Sequence, residues 1–125
     1  MPEAQDYSKN LLIIDSSEFI IERLVTMLGE IEKIGRLLTA TNYNTALEIL
    51  YKEQTDIVLL DIQMPYKNGI DLLKHIVYHF PGTKVIVLSN LVSDFYQKLC
   101  ISEGALHFVD KTKDFDKIPE LISVL

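Results

Sequence analysis

Two kinds of apolar pattern alternate along the chain. Residues 11–14 (LLII), 56–60 (DIVLL) and 84–88 (KVIVL) are short runs that are apolar almost throughout. Runs of this kind are typical of strands that are covered on both faces, as in a parallel sheet. Residues 36–41 (RLLTAT) and 105–110 (ALHFVD) are weaker versions of the same pattern. The pattern therefore predicts five strands, with the two weaker ones nearer the edges of a sheet.

Segments with helical spacing lie between these runs. Their apolar stripes comprise Ile20, Ile21, Leu24, Val25 and Leu28; Ala46, Leu47, Leu50 and Tyr51; and Leu72, Leu73, Ile76, Val77 and Phe80. Ser93 or Asp94 is suited to cap a fourth helix, which Gly104 would end. A fifth helix is expected from near Asp116, with Pro119 in its first turn, where a missing N–H costs little.

The resulting order is a strand and a helix repeated five times. Because crossovers between parallel strands are right-handed, this order predicts an α/β fold with a doubly wound, five-stranded parallel sheet. The expected strand order is 2-1-3-4-5, the flavodoxin-like (βα)5 architecture. Residues 1–10 are polar and are expected to form a flexible N-terminal arm, which leaves residues 11–125 as one domain.

Composition narrows the class of protein. The chain has 125 residues, 48% of them apolar, which suits a single folded domain. The formal net charge of −6 argues against nonspecific binding to nucleic acid or anionic membranes, since phosphate contacts need clustered Lys and Arg. Cys100 is the single cysteine, so no internal disulfide forms, and no apolar run approaches a membrane span. We expect a cytoplasmic protein with no membrane contact and no direct nucleic-acid contact.

The candidate chemistry lies at the strand ends. In such a sheet the site lies beyond the carboxyl ends of the strands, where the strand order switches. Strands 1 and 3 lie side by side there, so Asp15 and Asp61 at their ends are predicted to meet. Strand 4 ends at Ser89 and strand 5 at Lys111, on the same rim. Clustered carboxylates bind a hard cation such as Mg²⁺, and a carboxylate can attack phosphorus to form an acyl phosphate.

Each of these residues also has a plainer interpretation. Asp15 can cap the first helix, Asp61 can be a loop residue ahead of Pro65, and Ser89 can be an ordinary strand-end hydroxyl. A lysine such as Lys111 is usually solvated. The site hypothesis therefore rests on the convergence of all four groups on one rim.

Three segments resemble the signatures of bacterial response-regulator receiver domains. DIVLLDIQMPYKNGIDLL is similar to the phosphoacceptor segment, with an Asp after an apolar strand, then Met-Pro and a Gly four residues beyond the Pro. VIVLSN and GALHFVDK are similar to the next two receiver signatures, and the likeness runs from about Leu11 to the C-terminus. The resemblance implies the receiver fold and a role in two-component phosphorelay signalling, as a chemotaxis-receiver-like module.

The resemblance also implies roles for individual residues. Asp61 would be phosphorylated by a histidine kinase or a phosphotransfer protein, with Mg²⁺ held by Asp15, Asp61 and the backbone carbonyl of Gln63. Ser89 would bind the phosphoryl group, and Lys111 would pair with the acyl phosphate. Such a domain catalyses its own phosphotransfer and autodephosphorylation, and it turns over no external substrate.

Phosphorylation would act on a protein-interaction face. Phe108 falls at the family's switch aromatic position, whose rotamer follows that of Ser89, and it is equally suited to be plain core. The face formed by helix 4, strand 5 and helix 5 would engage a downstream partner protein or an output domain missing from this chain. Self-association into a homodimer stays open.

Three positions depart from the family pattern. Receivers usually end strand 1 with two adjacent acids, but here the pair reads Asp15 and Ser16, which removes a metal-binding carboxylate. Since ligand charge helps set the affinity for hard cations, we expect weak Mg²⁺ binding. Asn90 stands where a small residue is usual, and it is expected to narrow access to the acyl phosphate. Thr112 stands where proline is usual, and a cis peptide is costly without proline.

Sequence features favour or disfavour three alternative functions. Ser16 motivates a pseudo-receiver interaction domain that works without phosphorylation. A phosphohydrolase that forms an aspartyl phosphate would need a second acid two residues after its nucleophile, and Gln63 stands there instead. A flavin protein of the same architecture is disfavoured because no Ser/Thr/Gly-rich phosphate loop follows strand 1.

Overall fold

Five strands form one parallel sheet in the computed structural model, which describes residues 8–64 and 69–125. The strands are β1 Lys9–Ile14, β2 Ile34–Ala40, β3 Ile57–Asp61, β4 Lys84–Ser89 and β5 His107–Asp110. Their order is β2-β1-β3-β4-β5, and each neighbouring pair is parallel. The predicted fold class and strand order are confirmed.

The helices alternate with the strands and are α1 Glu18–Leu28, α2 Tyr43–Lys52, α3 Gly69–His79, α4 Asp94–Ser102 and α5 Ile118–Ser123. Ser93, rather than Asp94, caps α4, and Gly104 ends it in the left-handed region with φ of +108°. A 3-10 turn at Phe115–Lys117 precedes α5, which has Pro119 in its first turn. Within the described residues, no helix is long and apolar enough to cross a membrane.

Both faces of the sheet are covered, which accounts for the unbroken apolar runs. Leu11 and Ile13 of β1 pack with residues of α1 and α5. Leu12 and Ile14 point the other way and pack with residues of α2, α3 and α4. Because side chains alternate along a strand, a run that is apolar at every position supplies both cores. Full burial of one such side chain is worth about 1.5–3 kcal/mol, so the strands are fixed in register by their apolar residues.

Three strands begin two residues away from the predicted start, while the other boundaries differ by at most one residue. β1 begins at Lys9, inside the segment predicted as an arm, while residues 1–7 lie outside the described residues. β2 begins at Ile34, and β5 begins two residues later than predicted. Polar pairing explains the longer β1: the N–H of Asn10 donates to the Asp56 carboxylate, and its Oδ1 accepts from the Arg36 N–H. Side-chain partners of this kind leave no trace in an apolar pattern.

Candidate functional site

Three charged side chains meet at the carboxyl ends of β1, β3 and β5. Asp15 and Asp61 are almost fully buried, with 1% and 3% of their surface exposed. The Lys111 ammonium lies between them, 2.6 Å from Oδ2 of Asp15 and 3.3 Å from Oδ2 of Asp61. The structure therefore brings together three of the predicted site residues at the switch in strand order.

Backbone geometry at the end of β1 sets where Asp15 points. The N–H of Asp15 donates to the Ala40 carbonyl and so continues the pairing with β2. Oδ1 of Asp15 accepts from the Ser17 N–H at 2.8 Å, and the Ser17 hydroxyl accepts from the Ile20 N–H to cap α1. The cap of the first helix is therefore Ser17, and Oδ2 of Asp15 is left facing the site.

Asp61 is the last residue of β3. Its Oδ1 accepts from the Gln63 N–H at 2.9 Å. Burial raises the pKa of the Asp61 carboxyl above its usual value, and the hydrogen bond from Gln63 opposes that rise. The charge of Asp15 also raises the pKa of Asp61, and Lys111 lowers it. Desolvation combined with a neighbouring acid is typical of carboxylates at functional sites.

Backbone pairing between β4 and β5 fixes the position of Lys111. Its N–H donates to the Ser89 carbonyl, which extends the pairing of β4 with β5. Only 9% of its side chain is exposed, so the interpretation as a solvated surface lysine is wrong. The peptide bond between Lys111 and Thr112 is trans. Two carboxylates and one ammonium leave one net negative charge in a largely buried space.

A network of neutral polar groups lies beside the charged ones. Ser89 is fully buried, and its Oγ accepts from the Leu91 N–H at 2.8 Å and lies 3.4 Å from Oε1 of Gln63. The same Oε1 accepts from the Asn90 N–H at 2.9 Å. The Thr112 hydroxyl donates to Oδ1 of Asn90 at 2.9 Å.

This network contains contacts that the sequence analysis missed. Asn90 and Thr112, two of the positions that depart from the family pattern, are hydrogen-bonded to each other. Their hydrogen bond links the loop after β4 to the loop after β5. The Gln63 side chain ties the loop after β3 to the same network. Nothing in the sequence spacing relates these residues, since they lie on three different loops.

The donor atoms at this rim suit a small, hard cation. Oδ2 of Asp15 is buried and accepts no hydrogen bond from the described residues, although it contacts the Lys111 ammonium. Oxygen ligands from carboxylates and carbonyls are those that Mg²⁺ binds. Ser16 is exposed and brings no charge, and no set of three His, Cys, Asp or Glu forms a metal-binding group within residues 8–64 and 69–125. The donor set therefore fits Mg²⁺ with less charge than the usual acid triplet supplies.

Two further residues of the receiver-like segments have clear structural positions. Phe108 lies on β5 beside Val87 of β4 and is partly buried against the core that α2, α3 and α4 cover, while its switch role stays a prediction.

Gly69 begins α3, and a Cβ added there would lie 2.3 Å from Cα of Ile62. The glycine of the motif thus allows α3 to pack on the chain that leaves Asp61. Pro65 lies outside the described residues.

Comparisons with known proteins identify the family. The family model of the response regulator receiver domain matches residues 11–123. The Fimbriae Z protein of Salmonella typhimurium is 30% identical over 116 residues, which are 93% of this chain and 55% of that protein. The Francisella response regulator 1452 receiver domain has a TM-score of 0.84 at 25% identity, and the match covers 94% of this chain and 95% of that one.

A more distant structure has the same fold. A response regulator protein from Burkholderia pseudomallei, solved with a phosphorylated aspartic acid, a calcium ion and citrate, has a TM-score of 0.82 at 21% identity. The match covers 94% of this chain and 67% of that one. The chain spans about half the length of the curated relatives that it matches first. With the family model matched over nearly its whole length, the chain belongs to the response regulator receiver domain family of two-component signalling proteins.

Proposed function

We propose that this receiver domain is switched by phosphorylation of Asp61 in the presence of Mg²⁺. The observation that carries the proposal is the Lys111 ammonium set between two buried carboxylates at the ends of β1 and β3. Structural lysines rarely lie buried between two acids, because the desolvation of three charges opposes folding. An arrangement that costs stability in this way is expected where charge is needed for function.

Asp61 acts as the nucleophile. A carboxylate oxygen attacks the phosphorus of a phosphohistidine on a histidine kinase or a phosphotransfer protein. The O–P bond forms as the P–N bond breaks, and the imidazole leaves and takes a proton from solvent. Lys111, already 3.3 Å from Oδ2 of Asp61, neutralises charge on the transferred group. Asp15, Asp61 and the Gln63 carbonyl would hold Mg²⁺, which would supply further positive charge there.

The switch begins at Ser89. Its Oγ accepts from the Leu91 N–H, so turning the hydroxyl toward a phosphoryl oxygen moves the start of the loop after β4 inward. Phe108 on β5 follows, because it lies beside β4. The apolar surface proposed for a protein contact consists of side chains on and next to α4 and just before β5 that are exposed by 41% to 69%: Leu91, Val92, Phe95, Ile101 and Leu106.

This apolar surface gives the proposed output. Its partner is either an output segment of the same protein or a separate downstream protein, and a second copy of the domain is the homodimeric form of the same contact. The proposed phosphorylation of Asp61 has a parallel in a protein of the same fold. The Burkholderia pseudomallei response regulator was solved with a phosphorylated aspartic acid and a calcium ion.

A pseudo-receiver that works without phosphorylation is the second candidate. The observation that favours it is Ser16, which is exposed and uncharged next to Asp15. The site has one acid fewer than receivers usually have at the end of β1. The positive charge of Lys111 therefore neutralises one of its two carboxylates without a metal ion. Under this alternative the same apolar surface binds its partner constitutively.

Intact-mass measurement after incubation with acetyl phosphate and MgCl₂ distinguishes the two. The proposal expects a mass increase of one phosphoryl group on the wild-type domain, its loss on removal of Mg²⁺, and its absence in Asp61→Asn. Asp94→Asn is the matched control, because Asp94 is an exposed aspartate of α4, and it should be phosphorylated like the wild type. No adduct on the wild type at any Mg²⁺ concentration would favour the pseudo-receiver and overturn the proposal.

A further inference from the structure

Helix α3 has a pair of histidines that the phosphorylation chemistry does not use. His75 and His79 are one helical turn apart, and their rings lie 4.2 Å apart between centroids with a 36° tilt. The hydroxyl of Tyr51, from α2, is hydrogen-bonded to Nε2 of His75 at 2.9 Å. Two imidazoles and a phenol oxygen therefore cluster where α2 and α3 lie side by side.

We propose that His75 and His79 form a chelating site for a divalent transition-metal cation such as Zn²⁺, Ni²⁺ or Cu²⁺. Residues four apart on a helix share one face, so two imidazoles can reach the same ion. Bonds of about 2.0–2.1 Å in a tetrahedral arrangement set the two nitrogens roughly 3.3 Å apart. Ring centroids 4.2 Å apart bring the nitrogens within reach of this spacing once the side chains rotate to aim both at one ion.

The chemistry of the donors selects the class of cation. Imidazole nitrogen suits Zn²⁺, Cu²⁺ and Ni²⁺, whereas Mg²⁺ prefers oxygen. No third His, Cys, Asp or Glu of the described residues joins the pair. Water therefore supplies the donors for the remaining positions, so the bound ion is exchangeable.

The surroundings of His75 favour its neutral form, and they also orient its ring. Burial lowers the pKa of His75 below its usual value, and the nearby His79 lowers it further. A neutral imidazole presents a lone pair without first having to release a proton. Contact with Tyr51 also orients the His75 ring, in the way that hydrogen bonds orient metal-binding histidines.

The site is separate from the acidic rim. α3 starts at Gly69, near the carboxyl end of β3, and runs back along the sheet to His79. With about 1.5 Å of rise per residue, His79 lies about 15 Å along the helix from Gly69. The pair therefore lies toward the opposite rim from Asp61, and the inference is independent of the proposed phosphorylation.

Calorimetric titration of the domain with ZnCl₂ and NiCl₂, in excess Mg²⁺ to fill the acidic rim, tests this inference. We expect one ion per chain. His79→Gln should weaken binding by at least the roughly tenfold that even outer-shell changes cost. His107→Gln is the matched control, because His107 is the third histidine of the chain and lies on β5, and it should bind like the wild type. Asp61→Asn should bind Zn²⁺ and Ni²⁺ unchanged.

Thermal unfolding gives a second readout. Zn²⁺ should raise the Tm of the wild type and of His107→Gln, because it binds the folded helix, and it should not raise that of His79→Gln. His79 is exposed at the end of α3, so the variant is expected to fold, which circular dichroism checks. Absence of binding by the wild type, unchanged affinity in His79→Gln, or loss of binding in Asp61→Asn or His107→Gln overturns the inference.

Discussion

Lys111→Met isolates the role of the buried ammonium in the stability of the site. The substitution keeps most of the side-chain volume and removes the charge. In the wild type the ammonium is 2.6 Å from Asp15 and 3.3 Å from Asp61, with 9% of the lysine side chain exposed. Its loss leaves two buried carboxylates next to each other without a counter-charge.

The expected cost is large for a domain of this size. Breaking a buried ion pair by removing one partner costs about 3–5 kcal/mol, because the other charge is left uncompensated. That is a large part of the roughly 5–15 kcal/mol by which domains are stable. With a urea m-value of about 2 kcal/mol/M, the unfolding midpoint should fall by roughly 1.5–2.5 M.

The cost should depend on pH. The pKa of Asp61 is already raised in the folded state, and loss of Lys111 removes a group that lowers it. At a pH between the unfolded and folded pKa values of Asp61, the folded variant binds more protons than its unfolded chain. Its stability therefore falls as the pH rises through the folded pKa of Asp61. The deficit relative to wild type should therefore be largest near pH 8 and smaller near pH 5.

Urea unfolding followed by circular dichroism, at both pH values and without divalent ions, measures these differences. Lys113→Met is the control, because Lys113 is exposed, and it should change stability by no more than about 0.5 kcal/mol. Added Mg²⁺ should stabilise Lys111→Met more than the wild type, since it replaces the lost positive charge. Equal midpoints for Lys111→Met and the wild type near pH 8, or a deficit that does not change with pH, would refute this reasoning.

Three further substitutions test neighbouring parts of the site. Ser16→Asp should tighten Mg²⁺ binding at least about fivefold in calorimetry, because a unit charge 4 Å away contributes about 1–4 kcal/mol; unchanged affinity would mean that residue 16 does not face the ion. Asp61→Asn should raise the free energy of unfolding by about 0.5–2 kcal/mol near neutral pH, since burial disfavours the charged carboxylate. This gain should fade as the pH falls through the raised pKa of Asp61 and the wild-type carboxyl becomes protonated, and a loss of stability would contradict that raised pKa. Ser17→Ala should lower the free energy of unfolding by about 1 kcal/mol, because the cap of α1 is lost, whereas Ser16→Ala should leave it nearly unchanged. Equal effects of the two substitutions would mean that Ser17 is not the cap.

The sequence predicted much of the fold because its apolar pattern is local and unbroken. Runs such as residues 57–60 are buried at every position, and the order of strands and helices left few topologies to consider. The largest errors fall at the starts of β1, β2 and β5, where polar residues begin or precede the strand. At β1, the Asn10 N–H donates to the Asp56 carboxylate, and Asn10 Oδ1 accepts from the Arg36 N–H. A pattern of apolar residues contains no information about such hydrogen bonds.

The candidate site was predictable in its residues and less so in its contacts. Asp15, Asp61 and Lys111 were placed on one rim by the rule that sites form at the carboxyl ends of parallel strands. The capping interpretation of Asp15 was wrong in detail, because Ser17 is the cap. The bond between Thr112 and Asn90 depends on the rotamers of two loops, and no spacing in the sequence encodes it.

The sequence by itself determined which residues are apolar on both faces of a strand, where helices start and stop, and which charged groups end the strands. These properties depend on neighbours a few residues away. Only the tertiary structure decided that the Lys111 ammonium lies closer to Asp15 than to Asp61, and that Tyr51 meets His75 between two helices. Distances between groups far apart in sequence follow from strand register and side-chain packing, which are fixed only when the whole core has formed.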